Sequence, residues 1–481
     1  MIKNVLLICP PARLNSKALF GLPPLGLLYI SAYLNQHEVK TYVFDGEIQR
    51  FSYQDLRNII IEKNIDLIGF NVMTVFLNTV IQLSAKLKDE FNDIPVVLGG
   101  PHISGTKEEM LEYDRNIDYL IYGEGEEALL NLIQKLNNNM PLMEVPNLIY
   151  RSNKDIIMNK PQKFIVDLDL LPFPELSHII NYRPKLYNVP YSLAQTASII
   201  TSRGCPYNCN FCSAYIIHGH KWRNRSIENI MEELKYNYHK YGIKYFVIKD
   251  SLFTKDKEWA NRFCEKVLES GLKVNFRCNT RVDCVDKTLL ANMKKCGFDL
   301  INFGIESGNE DMLNTINKEI NKDFAVKIFK LARKAKIKTH ATFMIGNLNE
   351  TPQSIRDSVD FAKKLNSFFV RFFPAIAYPG THLYDYAVRN NLIKKDWYFA
   401  NCVPNTINER YLFPEYNSGI LLFEDFDPNK MAKSAFWQFH LRPKIFLRFL
   451  RMMVLSRSYC TNLLRMGKYL LKYLFRAKYK T

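Results

Sequence analysis

The feature that most restricts the fold of this chain is a repeated alternation. Up to about residue 140, continuously apolar runs of strand length ("NVLLICPP", "VKTYVFDG", "IDLIGFNVMT", "IPVVLGGPH", "IDYLIYGEGE") take turns with stretches of helical spacing ("LGLLYISAYLNQ", "YQDLRNIIIEKN", "NTVIQLSAKLKDEF", "KEEMLEY", "EEALLNLIQKL"). Neighbouring parallel strands need long crossover connections, and a sheet covered on both faces needs strands that are apolar throughout. The pattern predicts a Rossmann-like α/β domain over residues 1–140. Ligands of such domains bind beyond the carboxyl ends of the strands. Those ends read "CPP", "FDGE", "NVMT", "GGPHISG" and "YGEGE". Their glycines let backbone approach a ligand, and tight turns alone are the simpler account of them. No G-x-G-x-x-G follows the first strand, so a dinucleotide fingerprint is missing.

Residues 141–195 read as a connector. "NLIYRSNKDIIMNK" has the form of a hairpin turning at Ser152–Asn153, and "DLDLLPFPELS" is punctuated by Pro172 and Pro174. The alternation then resumes over residues 196–410. "ASIITSRG", "KYFVIKDSLF", "KVNFRCNTRV", "DLINFGIES", "KTHATFMIGN" and "FVRFFPAIAYPG" are predicted strands, with helices such as "IENIMEELKYNYHKY" and "PQSIRDSVDFAKKL" between them. Six β–α units predict a barrel or partial barrel, with its chemistry at the carboxyl ends of the strands.

The chain of 481 residues carries a formal net charge of +17, and thirteen lysines and arginines follow Asp427 with no acidic residue among them. The rest is nearly neutral, which argues against a nucleic-acid-binding surface along the protein. Residues 411–481 are expected to form a basic helical extension. "RPKIFLRFLRMMVL" and "NLLRMGKYLLKYLFRAKYK" place apolar residues at helical spacing with cations between them. Peripheral contact with the inner face of a membrane, or with an anionic ligand, is one reading; helices packed on the barrel with a charged outer face is the other. No run approaches the ~18 apolar residues that span a bilayer. No signal-peptide cleavage site follows the first apolar run, so the expected location is the cytoplasm.

Three of the ten cysteines, Cys205, Cys209 and Cys212, fall within "SRGCPYNCNFCSAY". The other seven are scattered, and each is most simply a small buried hydrophobe. Structural zinc wants four ligands, commonly two separated pairs. No second pair is present, and the spacing of His218 and His220 makes a mixed site doubtful. A redox C-x-x-C would not need Cys205. Iron–sulfur clusters are held by several close thiolates. Three cysteines could hold three irons of a [4Fe–4S] cluster and leave the fourth open to a ligand; a chance gathering of structural cysteines is the remaining alternative.

"CPYNCNFC" resembles the C-x3-C-x-aromatic-C signature of radical S-adenosylmethionine (AdoMet) enzymes. "FVIKDSLF", "NTRVDCVDKTLLANMKKCGFDLINFGIESG", "FMIGNLNET" and "YPGT" resemble later motifs of the same barrel. "PPLGLLYISAYL", "GGPHISG" and "GEGEEALL" resemble the cobalamin (B12)-binding domain that precedes many of these barrels. The likeness covers about residues 1 to 410.

The resemblance implies an α/β fold: a Rossmann-like cobalamin-binding-type domain, a radical AdoMet partial (β/α) barrel and a C-terminal helical extension. It makes Cys205, Cys209 and Cys212 ligands of a [4Fe–4S] cluster whose fourth iron chelates AdoMet. It makes Phe211, Asp250, Ser251, Arg281, Glu306, Ser307, Met344 and Gly346 candidate AdoMet contacts. Helix-terminal and ion-pair roles are the plainer readings of Glu306, Ser307 and Arg281. It makes Asp45, Gly46, Thr74, Gly99, Gly100, His102, Gly123, Glu124 and Gly125 candidate cobalamin contacts. The implied chemistry is reductive cleavage of AdoMet to a 5′-deoxyadenosyl radical, followed by cobalamin-dependent methyl transfer to an unactivated carbon. Radical cyclisation, carbon–carbon coupling or rearrangement is the alternative reaction, and a cobalamin- or cluster-based sensor is the alternative class. A small-molecule or lipid-like substrate and a ferredoxin or flavodoxin electron donor are the implied partners. One departure is "FDGEIQ", where many cobalamin domains carry Asp-x-His-x-x-Gly: it has no histidine to ligate cobalt. Cobalamin would then bind without a protein ligand to cobalt, unless the domain has lost the cofactor and serves as scaffold.

Overall fold

The computed structural model describes residues 1–12, 21–49, 52–161, 164–187, 189, 192, 194–399 and 419–448. Strands β1 (Asn4–Cys9), β2 (Lys40–Asp45), β3 (Leu67–Asn71), β4 (Val96–Gly99), β5 (Tyr119–Ile121), β6 (Leu148–Ser152) and β7 (Asp155–Met158) form one sheet in the order β2-β1-β3-β4-β5-β6-β7. The five predicted strands β1–β5 pair in parallel. The hairpin expected in the connector is β6–β7, and it extends this sheet antiparallel to β5. Along β1, Val5 and Leu7 enter one core while Leu6 and Ile8 enter another, so the strand is apolar throughout because helices cover both faces.

The second layer holds β8 (Thr196–Ile199), a short antiparallel ribbon of β9 (Ser202–Arg203) and β10 (Arg223–Asn224), then β11 (Tyr245–Ile248), β12 (Asn275–Thr280), β13 (Phe298–Glu306), β14 (Lys338–Ile345) and β15 (Phe369–Pro374). Six of these form an open parallel sheet in the order β15-β14-β13-β12-β11-β8, a partial barrel. Ser226, Asp256, Asp286, Asn321 and Thr351 each accept a backbone N–H in the first turn of the helix that follows, so the crossover helices start where their caps dictate.

The two faces of the barrel strands differ. Phe246, Phe276, Phe298 and Phe303 face the helices and are fully buried with Phe253 and Phe263. Alternate positions, among them Arg277, Asn279, Asn302, Thr342, Met344, Arg371 and Phe373, remain in reach of water. They line the lumen.

The helix Pro428–His440 is capped by Asp427 and lies along β15, the edge strand. It buries Phe436, Phe439 and His440, and the His440 ring meets Phe369 at 4.7 Å while its Nε2 lies 2.9 Å from the Val370 carbonyl. This part of the basic extension therefore packs on the barrel; the segments "RMMVL" and "NLLRMGKYLLKYLFRAKYK" lie outside the described residues. Among the described residues, no helix is long and apolar enough to cross a membrane.

The layers meet tightly. A Cβ on Gly380, in the "YPGT" turn, would come within 2.9 Å of both Gly105 Cα and Ile216 Cδ1. Gly105 belongs to the helix Pro101–Thr106 of the first layer, and Ile216 to the helix Ala214–His218 that follows the cysteine loop. Tyr215, on that same helix, donates to the Gly380 carbonyl at 2.8 Å.

Candidate functional site

The loop 204–213 leaves β9 and ends at the helix Ala214–His218. Gly204 opens it at φ +88°, where a Cβ would strike the Lys221 carbonyl, so the turn requires glycine. Neighbours then fasten the loop from several sides. Cys205 N donates to the Gly219 carbonyl, Asn210 Nδ2 to the Thr315 carbonyl at 2.9 Å, and Leu383 N to the Asn210 carbonyl at 2.9 Å. The Arg281 guanidinium lies over the Tyr207 ring at 3.8 Å. Phe211 packs into the apolar core between the layers.

Cys205, Cys209 and Cys212 are free thiols, with Cys209 buried. Burial pushes the Cys209 and Cys212 thiols up. Lys318 and Arg281 pull Cys209 down, while Glu306 and Cys205 oppose them. The three thiols thus share one electrostatic environment with two cations beside it. Among the described residues, no three of His, Cys, Asp and Glu converge tightly enough to hold a single metal ion. A [4Fe–4S] cluster takes its thiolates at separate corners, and a donor set of three cysteines on one braced loop fits it. His218 and His220 stand apart from the thiols' chemistry: His218 contacts Glu124 and His220 stacks on Tyr215. Of the scattered cysteines, Cys9, Cys264, Cys278, Cys284 and Cys296 are buried, as small apolar side chains would be.

The barrel-rim residues divide by what already occupies them. The Asp250 carboxylate is buried and accepts from Thr201 N at 2.8 Å and from the hydroxyls of Thr201 and Ser202, so it braces the strand leading into the cysteine loop. Arg281 pairs with Asp283 at 2.9 Å and donates to the Glu319 carbonyl at 2.7 Å. Ser307 exchanges a 3.1 Å hydrogen bond with Ser358. Gly346 N donates to Glu350, and a Cβ there would meet Pro428 at 2.9 Å. Ser251 and Met344 remain open to water.

Glu306 is the unusual member. It ends β13 beside a register shift, at φ +69°, in a region that side chains other than glycine and asparagine seldom enter. Its buried carboxyl, raised by that burial, lies 3.3 Å from Lys318. Strain of this kind persists where the surroundings over-determine it, commonly at functional sites.

The first sheet makes a different site. A cavity of about 250 Å3 opens at its carboxyl edge, lined by Leu27, Ile30, Val97, Ile121 and Leu129 and by Gly26, Gly69, Gly99, Gly100, Gly123 and Gly125. An added Cβ on Gly26 would meet nothing within 4 Å, so the missing side chain is empty cradle. Asn71, Glu124, Glu126, Arg203 and His218 supply its polar wall. Asp45, Gly46, Thr74 and His102 are not among its lining residues. Asp45 is buried at the end of β2, where it accepts from Glu47 N at 3.2 Å, and burial together with Glu47 pushes its carboxyl up to about 7. Gly46 N donates to the Cys9 carbonyl at 2.8 Å. Thr74 and His102 bond to each other at 3.1 Å, and burial pulls the His102 imidazole down to about 3.

Glu124 joins this cavity to the barrel. Its carboxylate contacts Arg203 at 3.2 Å, Arg223 at 2.8 Å and His218 at 3.1 Å, and Arg203 reaches Glu126 at 2.6 Å. Burial disfavours its charge, but His218, Arg223 and Arg203 outweigh burial and hold the carboxyl well below the usual range. Arg203 and His218 flank the cysteine loop in sequence and line the cavity. The loop and the cavity therefore share a wall.

The sequence reading missed Gly26, Gly69, Arg203 and His218. Gly26 stands in the quoted "PPLGLLYISAYL", where a glycine in a helix's first turn was the available signal. It also missed the lumen side chains. Their signal was polar residues at every second place in "NFRCNT", "KTHATFM" and "FVRFF", a period that a strand covered by helices on both faces would not show.

Residues 14–133 match the family pattern of the B12 binding domain, and residues 199–362 that of the radical SAM superfamily. An uncharacterised methyltransferase of Pyrococcus horikoshii is 29% identical over 451 residues, 93% of this chain and 94% of that protein. The cytidylyl-2-hydroxyethylphosphonate methyltransferase of Streptomyces wedmorensis is 28% identical over 444 residues, covering 81% and 83%. In fold, the chain is similar to the radical S-adenosylmethionine methyltransferase TsrM of Kitasatospora setae, solved with cobalamin and a [4Fe–4S] cluster. The TM-score is 0.70 at 16% identity, over 92% of this chain and 89% of that one.

Proposed function

The chain belongs to the radical SAM superfamily, in the class that carries a B12-binding domain ahead of the barrel, and on that premise we propose that it methylates an unactivated carbon of a small-molecule substrate. The observation that carries the reading is the shared wall: Arg203 and His218, on either side of the three cysteines, also line the glycine-rich cavity. A cluster held by Cys205, Cys209 and Cys212 and a corrinoid anchored in the cavity would act on the same space.

When bound, the cluster with AdoMet supplies one-electron chemistry that draws hydrogen from an unreactive carbon, and cobalamin supplies a methyl group. The protein's own part is positioning. Asp250 fixes Thr201 and Ser202, and thereby the approach to the cysteine loop. Arg281 and Tyr207 clamp the loop's middle. Glu124 holds both flanks of the loop against the first domain. Ser251, Met344 and the strained Glu306 are the rim groups we assign to AdoMet. The cavity's apolar wall would exclude water from a corrinoid held there. The turn after Asp45 offers no histidine, so cobalt would take no ligand from it.

The test uses full-length protein reconstituted anaerobically with iron, sulfide and cobalamin, with AdoMet and a ferredoxin or flavodoxin as electron source. Cluster absorbance, bound cobalamin and 5′-deoxyadenosine are expected together. Cys209→Ala should remove the cluster and lower cleavage by at least a hundredfold. Cleavage that survives in Cys209→Ala overturns the assignment. Cleavage without bound cobalamin would move the reaction to cyclisation or rearrangement.

A further inference from the structure

The helix Pro428–His440 carries the chain from one end of the barrel to the other. A Cβ on Gly346, just past the carboxyl end of β14, would meet Pro428 at 2.9 Å. At the helix's other end, His440 Nε2 lies 2.9 Å from the Val370 carbonyl, near the amino end of β15. Residues 441–448 therefore emerge at the amino side of the strands, opposite the cysteine loop. Three guanidinium groups meet there on one turn, residues 363–368, between the helix Pro352–Leu365 and β15. Arg333, in the last turn of the helix Lys322–Lys334, donates to the Leu365 carbonyl at 2.7 Å and to the Asn366 carbonyl at 3.1 Å. Arg442 donates to the Lys363 carbonyl at 3.4 Å, and Arg448 to the Ser367 carbonyl at 3.3 Å. Arg448 and Lys338 each stand 5.6 Å from the centre of the Phe368 ring.

The carboxylates of this end pair with lysines: Asp360 with Lys363 at 2.8 Å, Asp323 with Lys364 at 3.3 Å and Asp299 with Lys338 at 3.9 Å. Among the described residues, none of the three arginines has a carboxylate partner. A carbonyl fills a guanidinium's hydrogen bonds and leaves its charge. Burial and the neighbouring Arg448 both pull Arg333 and Arg442 down from the usual arginine range. Carbonyl bonds and the helix dipole account for a cation at a helix's end. They do not call for three guanidinium groups on one turn, nor for an exposed leucine among them. Leu447 is 65% exposed, and Lys444 is exposed on the same short segment. From Arg442 to Thr481 the sequence goes on mixing apolar residues and cations without one acid.

We propose that this end of the barrel docks on an anionic lipid surface, with Arg333, Arg442, Arg448 and Lys444 as its cationic contacts and Leu447 as its apolar one. Guanidinium forks match the oxygens of phosphate headgroups in pairs. Leucine among cations suits the boundary between headgroups and acyl chains, whereas a dissolved anion gains nothing from it. Docking at the amino ends of the strands leaves their carboxyl ends, with the cysteine loop, turned to solvent and open to a reductant. The proposal concerns the opposite end of the barrel from the cluster site and stands independently of the methylation reading.

The test is co-sedimentation of the full-length protein with vesicles of phosphatidylcholine alone and of phosphatidylcholine mixed with phosphatidylglycerol. Binding to the anionic vesicles, weakened by salt and missing with the neutral ones, is expected. Arg333→Gln and Arg448→Gln keep a donor for the turn's carbonyls and remove the charge, and each should weaken vesicle binding about fivefold. Arg448→Lys keeps the charge and should bind as the wild type does. Leu447 and Lys444 stand exposed, so Leu447→Gln and Lys444→Gln probe the same surface without touching the packing, and both should weaken binding. No binding to anionic vesicles, or equal binding to neutral ones, overturns the proposal. So does undiminished binding when Arg333→Gln, Arg448→Gln and Leu447→Gln are combined, which would assign the affinity to residues 449–481. Displacement of the protein from vesicles by inorganic phosphate would reassign the arginines to a dissolved anion and overturn it as well.

Discussion

At the carboxyl edge of the first sheet the side chains have been withdrawn. Six glycines and a ring of leucines, isoleucines and valines enclose about 250 Å3, and charge enters only at the wall shared with the barrel. At the inner face of the second sheet the side chains have been extended: arginines, a lysine, asparagines and a histidine fill alternate positions and stay wet. Both sheets are parallel and both put their site at the strands' carboxyl side, so topology does not separate them. The difference is the surface each presents. Glycines make a slot for a large, mostly apolar and rigid group, which needs shape. Extended polar side chains make an inner face that stays wet and rich in hydrogen-bonding groups. Glu124, Arg203 and Arg223 hold the two at a fixed distance.

The strongest way to break the comparison is to release that joint. The side chains of Glu124, Arg203 and Arg223 are 6%, 4% and 3% exposed. Glu124→Gln keeps the shape and leaves Arg203 its Glu126 partner, but it leaves the buried Arg223 guanidinium short of its counter-charge, which costs about 3 kcal/mol. Thermal unfolding should fall by several degrees or more, and cobalamin and cluster content should fall together. If one cofactor is lost while the other stays, the shared wall is not what couples the sites.

A second effect, of about 3 kcal/mol, comes from pH. Among the buried acids at the two carboxyl sides, Asp45 in the first region and Glu350 in the second are both raised to about 7, chiefly by burial. Glu350 also accepts from Gly346 N and Asn347 N, which moderates the rise. With both states protonated below about pH 4.5, its contribution to stability is complete there. Between 4.5 and 7 the unfolded chain ionises while the folded chain does not, so stability falls with rising pH, and above 7 the contribution is gone. Denaturant titrations from pH 5 to 8 should show this decline. Glu350→Gln should flatten the barrel's share and leave that of Asp45; an unchanged slope would assign the decline elsewhere.

The sequence carried the architecture well because periodicity reports it directly. All eleven predicted parallel strands form. Those of the first sheet, β8 and β11 are mostly buried runs, β12–β15 alternate buried and wet positions, and side-chain caps start the crossover helices of the barrel. The cysteine trio was legible for the same reason: three ligands on one short loop need no knowledge of tertiary contacts. What stayed hidden was the pairing of distant segments. Nothing in "YGEGE" or "SRG" says that Glu124 meets Arg203 across the two layers. Asp250 stands beside strand-end motifs, yet its oxygens are taken by Thr201 and Ser202, a fact fixed by the register of β11 on β8. The candidate contacts Asp45, Thr74 and His102 stand at strand ends, as sequence said, but turn into their own loops rather than into the cavity. Gly26 was passed over because a glycine inside a helical pattern first reads as a defect.

That glycine gives the finest test. Gly26 lies in the first turn of the helix Leu25–Gln36, faces the cavity and has open space where a Cβ would stand. In a helix, glycine is less favourable than leucine by up to ~1 kcal/mol. A side chain there would therefore be expected from stability alone, and its absence points to a ligand that uses the room. Gly26→Leu should leave the apoprotein as stable as the wild type or more so. It should weaken cobalamin binding by about tenfold, about 1.4 kcal/mol, while cluster content stays unchanged. Anaerobic cobalamin titration beside apoprotein unfolding measures both. Undiminished cobalamin binding would mean the corrinoid does not use the slot. A destabilised apoprotein would mean that the glycine serves packing, and the contrast between the two edges would lose its functional meaning at the first of them.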